Sequence, residues 1–73
     1  SGGQTMLDKR IDLQNAGLYL MQNSYGLPED ALINIKKGFC LLMANKTNES
    51  LKALDGSLAI QPSVAGSLLK ALV

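Results

Sequence analysis

The sequence predicts an all-α domain: a small bundle of three to four short helices, at about 5–23, 28–44, 48–60 and 63–73. Three observations carry this reading. Apolar residues recur at three- and four-residue intervals, most plainly at Leu32, Ile35, Phe39 and Leu42, a spacing that lines them up on one face of a helix. Leucine predominates and only Tyr19, Tyr25 and Phe39 are aromatic, which favours helix packing over a sheet. Between the periodic stretches stand short runs of Asn, Ser, Gly and Pro, the residues of turns and helix ends.

The first helix runs from about Thr5 to Asn23, with Thr5 as cap and Asp8 in the first turn. Leu7, Ile11, Leu18 and Met21 share one of its faces, and Leu13, Ala16 and Leu20 form a second apolar line beside it. Gly17 lowers helix propensity by about 1 kcal/mol relative to alanine, so its presence points to close approach by another backbone. Asn23-Ser24-Tyr25-Gly26 reads as a turn, with Gly26 suited to a positive φ. Pro28 then opens the second helix, where a missing N–H costs nothing, and Glu29 and Asp30 lie at the positive end of its dipole.

Beside its main stripe the second helix carries Ile33, Cys40, Leu41 and Ala44. A helix apolar on two sides needs neighbours on two sides, which makes this the central helix. Asn45-Lys46-Thr47-Asn48 ends it and supplies cap candidates for the third helix, with Thr47 and Ser50 at cap-box spacing but without the Glu or Gln. The third helix aligns Leu51, Leu54 and Leu58, and Asp55-Gly56 is a point where it could break, leaving 57–61 extended. Pro62-Ser63 restarts the chain, and Val64, Leu68 and Ala71 or Leu72 define the fourth helix. The expected core is Leu32, Ile35, Phe39, Leu42, Leu51, Leu54 and Leu68, with Cys40 most simply a small buried hydrophobe and the tyrosines drawn to the same interior.

A chain of 73 residues has room for one domain, here 5–73, and buries only about 60% of the surface it exposes unfolded. Residues 1–4, Ser-Gly-Gly-Gln, read as a disordered linker or cloning remnant, and the apolar pattern running to Val73 suggests a domain taken from a longer protein. No run of eighteen apolar residues is present, so the sequence predicts no membrane span. Seven basic residues against six acidic ones, dispersed along the chain, argue against nucleic acid as the main partner. With one cysteine and no histidine there is no disulfide framework and no His/Cys metal set, and no cofactor is expected. The same composition mildly favours a reducing compartment and an intracellular, cytoplasmic location.

The motifs are few. Asp8 and Asp12 stand four residues apart beside Lys9 and Arg10, the signature of a solvated charged face rather than a metal or acid/base pair. Asn45-Lys46-Thr47 and Asn48-Glu49-Ser50 fit the glycosylation acceptor pattern, but these residue types also suit helix junctions. Asp55-Gly56-Ser57-Leu58 resembles the Asp-Ser-Leu motif of acyl carrier proteins, which would imply phosphopantetheine on Ser57. The stretch 63–73 looks like the last helix of a helix-turn-helix DNA reader, with Gly56 as the turn glycine. Pro28 and Pro62, Ala16 and Ser50, and Leu20 and Leu54 are each 34 residues apart. Gly38, Ser50, Ser57 and Pro62 also keep the intervals at which tetratricopeptide repeats hold a glycine, two small residues and a proline. The stretch 31–62 therefore resembles such a repeat, which would imply a groove for a partner's peptide; it departs from the family at Asn34 and Lys37, positions that are usually apolar.

The expected function is that of a non-catalytic protein-interaction or oligomerisation module, binding another protein or a second copy of itself through apolar helix faces. The expected partner-binding residues are Leu18, Ile33, Cys40 and Leu41, the apolar surplus over one small core. A DNA-binding regulator, a tetratricopeptide-like peptide binder and a carrier domain are the alternatives. No pair of groups sets up nucleophilic or acid/base chemistry, so no enzyme is expected.

Overall fold

The computed structural model describes residues 6–73, with side chains from residue 8 onward, and the chain is a small all-α bundle. Its elements are α1 (Met6–Gln22), α2 (Glu29–Met43), α3 (Thr47–Ile60) and α4 (Val64–Leu72). The expected linker at 1–4, the cap at Thr5 and the packing of Leu7 lie outside the described residues and side chains.

The centre of the fold is the antiparallel pair α2 and α3. Gly38 lets α3 come close: a Cβ there would lie 2.6 Å from Leu54 Cδ2 and 2.7 Å from its Cγ. Two buried serines on α3 then reach the backbone of α2. Ser50 Oγ donates to the Gly38 carbonyl at 2.7 Å, and Ser57 Oγ donates to the Ala31 carbonyl at 2.9 Å. Both acceptors and both donors are seven residues apart, so one antiparallel register satisfies the two bonds together. Ser50 is thus a packing residue and not part of a cap. Thr47 is likewise the first residue of α3, whose N-cap position is Lys46, without a side-chain cap bond.

α2 and α4 each touch all three other helices, and among the described residues α1 reaches α2 and α4 but not α3. The core consists of Ile35, Phe39, Leu54, Ala65 and Leu69, with Leu20, Met21, Leu27, Met43 and Val73 packed around it. Leu42 is buried as expected, whereas Leu32 and Leu51 are only half-buried. Leu68 is a correction: it is 47% exposed, and its neighbour Leu69 is fully buried in its place. Ala65 and Gly66 present a small-sided surface that brings the α4 backbone inward, so the line through Ala65 and Leu69 packs and the line through Val64, Leu68 and Leu72 does not.

α1 is turned the same way. Its second apolar line, Leu13, Ala16 and Leu20, lies inward with Gly17, whereas Ile11 and Leu18 point out. The reason is Gly17, where a Cβ would fall within the ring of Phe39. The close approach foreseen there is made by an aromatic side chain and not by a backbone. Phe39 alone of the three aromatics is buried; Tyr19 and Tyr25 are 66% and 86% exposed, so the core does not claim them.

The helix ends account for the connections. Asn45 adopts φ 62° after α2, and the Lys46 and Asn45 N–H groups donate to the carbonyls of Leu41 and Leu42. These are the two bonds of a Schellman ending, with asparagine in the left-handed position usually held by glycine. Gly26 has φ 78° in the α1–α2 turn, as its position suggested. α3 runs unbroken through Asp55-Gly56 to Ile60, because Ser57 and Leu54 are held against α2 on either side of the weak point. At α4, Ser63 caps the helix by accepting from the Gly66 N–H at 3.0 Å.

Candidate protein-interaction surface

The Cα trace extends 41 × 23 × 15 Å, so the molecule is thin in one direction. Helices pack about 8–10 Å apart, and a body this thin covers few of them on every side. Apolar residues beyond the core therefore end on the surface, Ile60 at the end of α3 and the two tyrosines among them, and the rest of the large exposed ones lie in three places.

The first is α4. Val64, Leu68 and Leu72 recur every four residues on one face and are 73%, 47% and 44% exposed. Ser67 and Ala71 complete that face, which bears no charge. The one base of the helix, Lys70, is on the other side, paired with Asp55 of α3 at 2.7 Å. Next to the start of the stripe lie Pro62 and Ser63, and its far end, Leu72, adjoins Leu13 and Ala16 of α1. The second place is the outer face of α1, with Ile11 and Leu18, 45% and 44% exposed. The third is the outer face of α2, where Ile33 is 53% exposed and Cys40, seven residues on, is exposed as well.

The four residues expected at a partner site are not gathered into one patch. Ile33 and Cys40 share a face of α2, between Lys36 and Lys37. Leu41 is half-buried round the side of that helix, in a shallow depression shared with Asn34 and with Glu49 and Lys52 of α3. Leu18 belongs to the outer face of α1. The reading of Cys40 as a buried hydrophobe is corrected by its exposure, which follows from Gly38 and Phe39 taking the inward positions of that turn. Sequence reasoning missed Val64, Leu68 and Leu72 as surface: it gave Leu68 to the core and used Val64 and Leu72 only to define the helix. The available signal was that α4 is apolar on every side, Lys70 being its one charged residue among nine.

Other motifs have structural explanations. Ser57 is fully buried with its hydroxyl committed to Ala31, which leaves a modifying enzyme no access to it in this fold. Gly56 lies inside α3, so no turn stands where a helix-turn-helix would need one. Asp8 and Asp12 are both exposed on α1. Among the described residues no group of three or more His, Cys, Asp or Glu side chains could hold a metal ion. None of their helices is long and apolar enough to cross a membrane.

By fold the protein belongs with small all-α bundles whose elements are joined by short connections. Comparison of the chain with protein-family models, with curated proteins and with solved structures finds no match.

Proposed function

We propose that this chain is a non-catalytic association module that binds an apolar helix, of a second copy or of another protein, through the outer face of α4. The observation that carries the proposal is the uncharged stripe of Val64, Leu68 and Leu72 on the short, Ser63-capped α4. Fully burying a side chain of this kind contributes about 1.5–3 kcal/mol. For these three side chains, half to three-quarters exposed, that is roughly 2–5 kcal/mol, with as much again from a like surface opposite. Association costs about 4–15 kcal/mol in lost freedom, so this face alone supports weak pairing, with Kd on the order of 0.1 mM or weaker. An uncharged face also demands an uncharged partner, and the α4 face of a second copy meets that demand.

Sedimentation equilibrium over roughly 0.01–1 mM tests the reading, a range set by the expected affinity. The unaltered protein shows mass rising with concentration, and Leu68→Glu, which places a charge in the stripe, stays monomeric with its helicity intact. Equal association of both proteins, or of neither, overturns the α4 reading.

A tetratricopeptide-like peptide binder is the second reading, favoured by one observation: Gly38, Ser50 and Ser57, which carry that resemblance, do meet at the α2–α3 contact. Against it stands α1, which folds back onto α4, whereas a stack of repeats leaves such a helix against the unit before it.

A further inference from the structure

The 34-residue spacing extends through the fold. Ala31, Ile35 and Lys36 of α2 stand to Ala65, Leu69 and Lys70 of α4 as Ala16 and Leu20 of α1 stand to Ser50 and Leu54 of α3. Ala31 and Ala65 are both buried, as are Ile35 and Leu69. The helix contacts follow the same pairing. α1 with α2 corresponds to α3 with α4, α2 with α3 corresponds to α4 with α1, and α2 with α4 corresponds to itself, while α1 and α3 do not touch. The pattern of which helices touch is the one that two helix–proline–helix units related by a pseudo-two-fold axis would give.

The two equivalent contacts are unequal in chemistry. Between α2 and α3 a glycine and two buried serine bonds hold the backbones together. Between α4 and α1 the position of Gly38 is taken by Leu72, that of Ser50 by Ala16 and that of Ser57 by Asn23. Asn23 is exposed, and its side-chain amide donates to the Tyr19 carbonyl of its own helix. The α4–α1 contact thus lacks both serine donors, and the side chain at the Gly38 position, Leu72, is half-exposed beside Leu13 and Ala16. The contacts that hold α1 include Phe39 under Gly17, Leu20 and Met21 on the core, and Arg10, whose guanidinium donates to the Met43 carbonyl. Its connection to α2 is a short turn in which Ser24 is buried and Leu27 packs on the core, whereas Tyr25 is exposed and Gly26 stands in open space at positive φ.

We infer that α1 is an exchangeable helix, and that two copies of this chain form a dimer by each seating its α1 on α2 and α4 of the other. The occupant is fixed by the seat: the hollow over Phe39 accepts a helix with glycine in register, and α1 of a second copy is identical to the helix already there. The interface in the dimer continues the one within the monomer, so no new contact surface is required, and only the 23–28 connection changes. This inference rests on reading the chain as an association module, but it uses a different surface from the α4 stripe.

The test places cysteines at Arg10 and Ala44 in a Cys40→Ser background and joins them with a short bis-maleimide. A closed monomer links the two within one chain; an exchanged dimer links them between chains. Gly26→Val penalises the positive-φ turn of the closed form by roughly tenfold and leaves an extended connection unstrained. Dimer with interchain adducts is therefore expected to rise about tenfold or more per chain in that variant. The Gly26 protein is measured beside it, refolded near millimolar concentration, where intermolecular closure competes with a short tether. Interchain adducts in either protein support exchange. Intrachain adducts alone in both, or a Gly26→Val monomer whose α1 has simply unfolded with no interchain adduct in the refolded protein, overturn it. Adding Leu68→Glu keeps the two ideas apart: association abolished by it, with adducts intrachain throughout, upholds the α4 face and refutes exchange, whereas interchain adducts unaffected by it do the reverse.

Discussion

Gly38 and Gly56 occupy the two helices of the same pair, and alanine at each is expected to act with opposite sign. In a helix interior Gly→Ala gains about 1 kcal/mol of propensity at either site. At Gly56 the new Cβ would meet the Asn34 side chain at 3.4 Å, ordinary contact, so the propensity gain survives and Gly56→Ala stabilises by about 1 kcal/mol. At Gly38 the new Cβ would lie within 2.6–2.7 Å of Leu54, a side chain with no exposed surface and no room to turn away. Forcing the pair apart costs about 1–3 kcal/mol in overpacking, and lengthening the 2.7 Å bond from Ser50 loses roughly 1 kcal/mol more. Net of propensity, Gly38→Ala is destabilising by about 1–3 kcal/mol, a fall in Tm of very roughly 5–20 °C for a domain of this size. Thermal and urea unfolding followed by circular dichroism at low protein concentration measures both variants. A Gly38→Ala protein as stable as Gly56→Ala would refute the close packing of α2 on α3.

Further outcomes follow from the same contacts. Ser57→Ala removes one buried hydroxyl from a helix carbonyl and is expected to cost at most about 1 kcal/mol, partly offset by better propensity, in the same unfolding assay. Ser63→Ala removes the cap of α4 and should lower stability by about 1 kcal/mol, with faster amide exchange in the 64–67 turn. Asp55→Asn breaks the 2.7 Å pair with Lys70, and because both side chains are about half exposed the change in stability should stay under about 1 kcal/mol. Leu68→Glu should lower monomer stability by about 1 kcal/mol, since about half of that side chain is already buried in the monomer.

The helices and their order were legible because α2 has one dominant stripe: Ile35, Phe39 and Leu42 are buried where periodicity puts them. Periodicity decided less where a helix lacks a single dominant stripe. In α1 and α4 two lines competed, and the winner was set by small residues, Gly17 in one and Ala65 with Gly66 in the other, which admit a neighbour closely. The larger side chains of the losing lines, Ile11, Leu18, Val64 and Leu68, were left outside. Asp55-Gly56 looked like a break because local propensity is poor there, and tertiary bonds from Ser50 and Ser57 override it. Ile33 and Cys40, expected at a partner site, lie off the main stripe, and nothing in the spacing alone distinguished a second buried side from an exposed one. α4, the most apolar element, held the clearer surface.

Methyl resonances followed as protein concentration rises test the central claim most directly. If the α4 face is the association surface, the Val64, Leu68 and Leu72 methyls shift together, saturably and up to about 1 mM, while the Ile33 methyls on the far side of α2 stay still. Methyl positions on α4 that do not move across that range, or movement centred on Ile33, would contradict it.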